Sequence, residues 1–257
     1  MFSERIEFVQ RKFSPLFSQD NEVIFFNPET PSHCLSFYLN KLVAYQTFLP
    51  VVEKLERAGI KCVQSMSQQK FNLAIISIPK SKKLARHIIY LATKAVPEGL
   101  IIVDGDKSNG IESIIRDLKK QTKITNVVSK AHGKTAWFET PADLEMYKDI
   151  PLQIEDGFET QAGVFSSDGV DPASKLLAQL IPRDLKGVGA DLGGGWGYLS
   201  VKALEINSIR ELHFIEADFT ALSTAKNNLN DQRVKFYWCD ALTWKAPKLL
   251  DFIIMNP

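Results

Sequence analysis

The sequence predicts an α/β fold arranged as two consecutive parallel-sheet units. Apolar runs of the buried-strand type alternate with helical segments along almost the whole chain, which is the pattern of a parallel sheet covered on both faces. A glycine-rich turn at residues 191–197 joins a strand to a helix late in the chain, where a second sheet begins. At 257 residues the chain is long enough for two modest domains.

The first predicted unit comprises residues 1–145. The run 71–78 is nearly continuous in apolar residues and ends at Pro79, as buried parallel strands do. Residues 82–95 carry apolar side chains at helical spacing and stop before Pro97. The predicted strands are 22–26, 71–78, 100–103 and 134–139, and the predicted helices are 49–58, 82–95 and 111–120.

Residues 146–162 carry many charges and little periodicity, so they are predicted to be a linker to a second unit at 163–257. In that unit Asp171 suits the N-cap of the first helix. The predicted helices are 172–180, 196–206 and 219–229, and the predicted strands are 187–192, 211–215, 234–238 and 250–255. Residues 249–257 echo 71–79, since each is an apolar strand leading into a proline, and this favours a duplication.

The composition excludes several classes of protein. An apolar content of 45% with 24% charged residues is ordinary for a soluble globular protein. The three cysteines (Cys34, Cys62 and Cys239) and the four histidines form no ligand-spaced cluster, which predicts neither a disulfide framework nor a metal site. Neither a signal peptide nor an apolar run of roughly 20 residues is found. The prediction is a cytoplasmic protein with no membrane partner.

Charge is distributed unevenly, although the net charge is only +1. Between residues 80 and 134, twelve Lys and Arg residues stand against five Asp and Glu, an excess of seven positive charges. The remainder of the chain therefore carries about −6. A basic segment of this kind indicates a nucleic-acid partner. The alternative is that these are helix-surface lysines that keep the protein soluble.

The stretch Asp191-Leu192-Gly193-Gly194-Gly195-Trp196-Gly197 is the strongest candidate for a cofactor site. Glycines permit a sharp turn and a close approach of a ligand to the main chain. The spacing differs from the dinucleotide fingerprint G-x-G-x-x-G, and the leading carboxylate would repel a pyrophosphate. A cationic sulfonium without phosphate tolerates that carboxylate, which favours S-adenosylmethionine over NAD. The alternative is a glycine turn that only packs helix on strand.

Three further positions follow predicted strands of the second unit. Glu216 lies about 20 residues after the glycines, where an acid can bind both ribose hydroxyls. Asp240, with the Ala241 backbone beside it, is placed to bind the adenine amino group; either acid could instead be a simple strand-end or turn residue. Asn256 and Pro257 offer carbonyl oxygens that can accept the N–H groups of a poorly nucleophilic amine and orient its lone pair for methyl transfer.

Four stretches (163–171, 191–197, 214–216 and 251–257) resemble class I methyltransferases of the "methyltransferase small" group, above all the bacterial ribosomal RNA guanine-N2 methyltransferases. The resemblance implies two tandem Rossmann-like methyltransferase-type domains. It implies S-adenosylmethionine as cofactor, held by Asp191 and the glycines, Glu216, Asp240 and Ala241. It also implies that Phe165 and Asp171 lie near the methionine end of the cofactor, with Asn256 and Pro257 at the target base. Segments 75–83 and 103–111 resemble that family's N-terminal half, a degenerate domain without a cofactor motif that is thought to help bind RNA.

Two departures from the family pattern carry expectations of their own. Trp196 stands where the family usually has a small residue, so it either crowds the cofactor or packs beneath it. The family motif continues Asn-Pro-Pro-aromatic, whereas the chain ends at Pro257. We therefore expect a second domain that is incomplete at its C-terminus, and a chain that is inactive or self-associates through an open sheet edge.

The predicted function is N2-methylation of a guanine in ribosomal RNA, with ribosomal RNA or a ribosomal subunit as partner. Two alternatives are a non-catalytic RNA- or ribosome-binding module and an N-methyltransferase acting on protein glutamine or DNA adenine. An NAD-dependent oxidoreductase is opposed by the glycine spacing and by Asp191.

Overall fold

The computed structural model describes residues 2–34, 37, 39–141 and 144–256, and the chain divides into two compact units. Unit 1 comprises Met1–Thr47 and Val51–Asp149, and unit 2 comprises Phe48–Pro50 and Ile150–Pro257. Within the described ranges, no helix combines the length and the apolar character that crossing a bilayer requires.

Unit 1 is organised around a seven-stranded sheet in the order β3-β2-β1-β4-β5-β7-β6. The strands are β1 (Val23–Phe26), β2 (Leu42–Tyr45), β3 (Lys61–Val63), β4 (Leu73–Ser77), β5 (Leu100–Asp106), β6 (Asn126–Lys130) and β7 (Gly133–Glu139). The helices along this part of the chain are α1 (Phe2–Lys12), α2 (Leu49–Arg57), α3 (Lys82–Ala95) and α4 (Ile111–Leu118). Every residue of β1 and β4 is buried, as the apolar runs predict for central parallel strands.

One strand, β7, departs from the parallel arrangement that the sequence predicts. β7 runs antiparallel to both β5 and β6, whereas β1 to β5 pair in parallel. A two-residue turn joins β6 to β7, and Ala131 and His132 both have positive φ there, at 47° and 57°. Two successive left-handed residues match the twist of a tight antiparallel hairpin. Neither residue is a glycine or asparagine, so the sequence gives no signal for this turn.

Helix α1 is attached to the sheet of unit 1 by a buried arginine. Arg5 is 1% exposed, and its Nε and Nη2 donate to the two carboxylate oxygens of Asp104 at 2.8 and 2.7 Å. Its Nη1 donates to Asp106 at 2.7 Å, and the Thr135 hydroxyl donates to Asp104 at 2.5 Å. A buried ion pair requires this degree of hydrogen bonding, because the desolvation of both charges must be offset.

Unit 2 contains a four-stranded parallel sheet in the order β12-β11-β10-β13. Its main elements are α5 (Pro172–Leu180), β10 (Gly187–Leu192), α6 (Tyr198–Leu204), β11 (Ile209–Glu216), α7 (Phe219–Asn228), β12 (Val234–Trp238) and β13 (Phe252–Met255). This order matches the first four positions of the sheet in unit 1. β13 occupies the position in its sheet that β4 occupies in the sheet of unit 1. The similar segments 71–79 and 249–257 therefore contain strands at equivalent positions of the two sheets.

The predicted linker contains regular structure. β8 (Leu152–Gln153) pairs antiparallel with β9 (Glu159–Thr160), and Phe158 between them is 5% exposed. Phe158 packs in a small core with Val164, Val170 and Trp196. Residues 150–162 therefore pack as part of unit 2. The domain boundaries predicted at residues 145 and 163 stay a prediction.

Candidate functional site

The glycine turn and Asn256 lie at the same edge of the sheet in unit 2. Leu192, the last residue of β10, pairs with Met255, the last residue of β13. Because both strands run in parallel, the residues that follow them emerge side by side. In open α/β sheets, ligands bind in the crevice outside the carboxyl ends of the strands.

Three glycines allow the backbone of the turn after β10 to adopt left-handed conformations. Gly193, Gly195 and Gly197 have φ values of 70°, 59° and 98°, in the left-handed region that favours glycine. A Cβ at Gly193 or Gly195 would meet no atom within 4 Å, so the main chain is open to a ligand there. Helix α6 begins at Tyr198, two residues later than the sequence predicts, because Gly197 still belongs to the turn.

An open cleft lies over this turn. Among the predicted site residues, its lining includes Phe165, Asp171, Asp191, Gly193, Gly195 and Asn256. Residues from three separate parts of the sequence therefore converge on one cleft.

Asp191 is the most deeply buried acid of the site. It is 1% exposed, and the Ser200 hydroxyl donates to its Oδ2 at 2.6 Å. Burial raises the pKa of Asp191 to about 6, and the negative charge of Glu216 adds to the shift, while the Ser200 hydrogen bond opposes it. The carboxyl group of Asp191 therefore gains or loses its proton about one pH unit below neutral pH.

Glu216 fastens the glycine turn to the next strand. Its Oε2 accepts the main-chain N–H of Gly195 at 2.8 Å, and its Oε1 accepts that of Asp218 at 2.7 Å. Burial raises the pKa of Glu216, and the main-chain hydrogen bonds partly oppose this rise. Asp218 accepts main-chain N–H groups of Thr220 and Ala221 and so caps α7.

Five predicted cofactor residues lie outside the lining of the cleft: Leu192, Gly197, Glu216, Asp240 and Ala241. The main chain of Leu192 belongs to β10, and Gly197 faces Leu229 of the core. Asp240 accepts the main-chain N–H of Leu242 at 2.9 Å in the turn after β12, with Ala241 beside it. Binding of a cofactor by these residues stays a prediction.

Asn256 is held by two residues of α5 and its cap. Its Nδ2 donates to Asp171 Oδ2 at 3.1 Å and to the Ser174 hydroxyl at 2.8 Å. Asp171 also caps α5 by accepting the Ser174 main-chain N–H at 2.8 Å, as the sequence predicts. This N–H hydrogen bond is the main reason that the pKa of Asp171 is lowered. Pro257 lies outside the described residues.

Trp196 packs beneath the turn. It is 4% exposed, its ring lies 5.2 Å from that of Phe158, and its Nε1 donates to the Phe165 carbonyl at 3.0 Å. This hydrogen bond holds the segment that presents Phe165, which is 67% exposed at the cleft. Of the two predicted outcomes for Trp196, the structure supports packing.

The sequence analysis missed two serines of the site. Ser174 binds the side-chain amide of Asn256, and Ser200 binds the carboxylate of Asp191. Ser174 lies three residues after the N-cap residue Asp171, which is the spacing of a helix capping motif and could have drawn attention to it. Its hydrogen bond to Asn256 could not be predicted, because the two residues lie far apart in the sequence. No group of three or more His, Cys, Asp or Glu suited to a metal ion occurs in the part of the chain that the structure describes.

Comparison with known families adds two matches that together span most of the chain. Residues 155–257 match the family described as "Methyltransferase small domain", and residues 19–140 match "Methyltransferase small domain N-terminal". The two segments lie in unit 2 and unit 1, respectively, apart from the few residues at 48–50.

Two curated relatives show the extent of the similarity. Ribosomal RNA small subunit methyltransferase C of Shewanella loihica is 29% identical over 222 residues, which is 80% of this chain and 64% of that protein. Ribosomal RNA large subunit methyltransferase G of Yersinia enterocolitica is 28% identical over 199 residues, which is 72% of this chain and 50% of that protein. The chain thus spans between half and two thirds of the length of these relatives.

One solved structure has the same fold over most of the chain. It is the T. thermophilus 16S rRNA N2 G1207 methyltransferase in complex with AdoMet and guanosine, with a TM-score of 0.72 and 19% identity. The match covers 92% of this chain and 70% of that one.

Proposed function

Because the chain belongs to the methyltransferase small domain family, we propose that it is an S-adenosylmethionine-dependent methyltransferase acting on the exocyclic amine of a guanine in ribosomal RNA. The observation that carries this proposal is the shared cleft. The glycine turn, the buried Asp191 and the Asn256 carboxamide all line it, so a methyl donor and an amine acceptor can meet there.

The residues present fit S-adenosylmethionine. The open main chain at Gly193 and Gly195 leaves room for a close approach, and the carboxyl of Asp191 suits a cationic cofactor. Glu216 has lone pairs left beyond its two main-chain N–H partners, and these suit ribose hydroxyls. Phe165 and Asp171 would lie near the methionine end, and Asp240 and Ala241 near the adenine. When bound, the cofactor supplies an electrophilic methyl group on sulfur.

The chain's own part in the reaction is to bind and orient the acceptor. The lone pair of a guanine amine is delocalised into the ring, so the nitrogen attacks poorly unless its N–H groups are held. The Oδ1 of Asn256 and the carbonyl of Pro257 are the acceptors that we propose for those two N–H groups. Orientation of this kind can supply a large part of a rate enhancement without covalent intermediates.

The activities named for the relatives support ribosomal RNA as substrate. Both curated relatives are ribosomal RNA methyltransferases, and the solved structure is an N2 guanine methyltransferase with guanosine bound. The basic segment 80–134 supports an RNA partner as well, although part of its charge is neutralised by Asp117, Asp149, Glu145 and Glu112. A ribosomal substrate would support the predicted cytoplasmic location.

Titration calorimetry on the whole chain tests the cofactor. We expect S-adenosylmethionine to bind with one site per chain and NAD to produce no binding heat. Glu216→Gln should weaken the binding by about 10- to 100-fold, the value of one charge-assisted hydrogen bond. Glu205→Gln, at the end of α6 and away from the cleft, should leave it unchanged. Binding of NAD in place of S-adenosylmethionine would refute the cofactor assignment.

Mass spectrometry of ribosomal RNA after incubation with the chain and S-adenosylmethionine tests the reaction. We expect one methyl group on a guanine exocyclic amine. RNA binding without methyl transfer would instead support the non-catalytic module, and methylation of a glutamine-containing protein or of DNA adenine would reassign the substrate.

A further inference from the structure

We infer that Asp171 and Ser174 are positioning residues that fix the carboxamide of Asn256 in one orientation, with its carbonyl oxygen directed to the acceptor amine. The inference rests on the proposed function, because it concerns how the same cleft presents an acceptor to a guanine amine. Neither residue is proposed to contact the reacting atoms in this role.

The two ends of a carboxamide are chemically opposite, and the site distinguishes them. The Nδ2 of Asn256 has two hydrogens, and the structure gives it two acceptors, Asp171 Oδ2 at 3.1 Å and Ser174 Oγ at 2.8 Å. Both hydrogens of the amide are therefore occupied by α5 and its cap. In the described part of the chain, Oδ1 of Asn256 has no such partner, and it remains available to an N–H donor.

Asp171 is the residue that selects the orientation. An ionised carboxylate only accepts hydrogen bonds, so a flipped Asn256 would bring its oxygen against a negative oxygen. A serine hydroxyl can donate or accept, so Ser174 alone would tolerate either orientation. The Ser174 main-chain N–H at 2.8 Å holds Asp171 in its charged form. The carboxylate of Asp171 thus selects the orientation of the Asn256 amide, and the hydroxyl of Ser174 accepts the second Nδ2 hydrogen.

The support for Asn256 is rigid. Asp171 is the N-cap of α5, a helix of nine residues that begins with Pro172. Ser174 is 9% exposed, so its hydroxyl has little freedom to turn elsewhere. On the other side, Asn256 directly follows β13, whose last residue pairs with Leu192. The amide is therefore fixed between a helix start and a strand end.

Selective ¹⁵N-asparagine labelling of the whole chain tests the inference without relying on activity. Asn256→Ala identifies the side-chain signals of Asn256 by their loss. We expect the Nδ2 hydrogens to exchange with water at least about tenfold faster in Ser174→Ala and in Asp171→Ser than in the unmodified chain, because each variant removes one acceptor. Serine keeps the N-cap of α5 but is too short to reach Asn256.

Two controls make the measurement specific. Asp171→Asn can keep an oxygen at the position of Oδ2 and should restore slow exchange in part. Ser223→Ala removes a helix hydroxyl that donates to the Phe219 carbonyl in α7, and it should leave the Asn256 signals unchanged. Unchanged exchange in both Ser174→Ala and Asp171→Ser would overturn the inference.

Kinetics separate a positioning role from general damage. For methyl transfer to RNA, we expect kcat to fall about 10- to 100-fold in Ser174→Ala and in Asp171→Ser, with partial recovery in Asp171→Asn. In Ser174→Ala the KM for S-adenosylmethionine should stay unchanged, and a rise in that KM without a fall in kcat would contradict the inference. If the unmodified chain transfers no methyl group, the proposed function fails for this chain, and the exchange measurement still decides the orientation of Asn256.

Discussion

At the scale of single residues, Asp191 has the clearest consequence for stability. Its pKa is about 6 in the folded protein, against about 3.8 when exposed, so the folded state holds the proton more tightly than the unfolded chain. The stability of the folded state therefore falls as pH rises from about 4 to about 6, and it levels off above that. A shift of roughly two pKa units corresponds to about 3 kcal/mol.

Asp191→Asn should remove this pH dependence. We expect the difference in unfolding free energy between the unmodified chain and Asp191→Asn to change by about 3 kcal/mol between pH 4 and pH 7, in favour of the variant at the higher pH. Urea unfolding followed by tryptophan fluorescence measures it, since Trp196, Trp238 and Trp244 report on unit 2. A difference that stays constant with pH would show that folding leaves the pKa of Asp191 unchanged.

Gly194 carries a second prediction at this scale. A Cβ there would overlap the ring of Phe214, a fully buried residue of the core of unit 2. Gly194→Ala should destabilise unit 2 by about 1–3 kcal/mol, the usual effect of overpacking. Gly169→Ala is the matched control, because no atom lies within 4 Å and its φ is not positive; it should change stability by less than about 1 kcal/mol. Equal midpoints of urea unfolding for the two variants would contradict the expected clash.

The parts of the site that are formed by neighbouring residues could be predicted from the sequence, whereas contacts between distant residues could not. The glycine turn and Asp191 form one local motif, and a strand before a turn places them at a sheet edge. The contact between Asn256 and Ser174 joins the residue after β13 to helix α5, which lies far away in the sequence. The hydrogen bond between Glu216 and Gly195 depends on the pairing of β10 with β11.

At the scale of elements, long segments with a clear apolar pattern were predictable and short ones were not. Helix α3 and the strands β10 and β12 have the predicted bounds, because their apolar pattern is clear over enough residues. Strand β3 has three residues, each at least partly exposed, and β6 is exposed at its end, so neither gives a pattern of its own. Helix α1 depends on Arg5, whose partner Asp104 lies in a strand distant in sequence.

The attachment of α1 gives a prediction for unit 1. Arg5→Ala would leave the carboxylate of Asp104, which is 0% exposed, without its charged partner. We expect a loss of about 3–5 kcal/mol, as for other buried ion pairs from which one partner is removed. Hydrogen exchange of the main chain of β5 and β7 measures it, since both strands lie next to the cluster. Arg57→Ala removes an exposed pair with Glu53 on α2 and should cost less than about 1 kcal/mol. Similar exchange in the two variants would mean that α1 contributes little to unit 1.

At the scale of the whole molecule, the two sheets share one order but differ in their chemistry. Unit 1 has the longer sheet and the whole of the basic segment 80–134, whereas the glycine turn lies in unit 2. Several cations of that segment pair with acids, which reduces the charge available to RNA. Lys119, Lys120 and Lys123 lie close together in the sequence, are exposed and make no ion pair within the described residues, so we expect them to contact phosphate.

Replacement of these three lysines by alanine should therefore weaken RNA binding in a salt-dependent way. Each phosphate contact to a single strand contributes about 0.7 to the slope of log K against log salt, so the slope should decrease by about 2. Filter binding of ribosomal RNA over a salt series measures it. The matched control replaces Lys12, Lys54 and Lys61, which lie outside the segment and remove the same net charge. It should leave the slope unchanged, because these lysines are not expected to contact phosphate. Equal losses in the two triple variants would show that overall charge, and not this part of unit 1, determines the affinity for RNA.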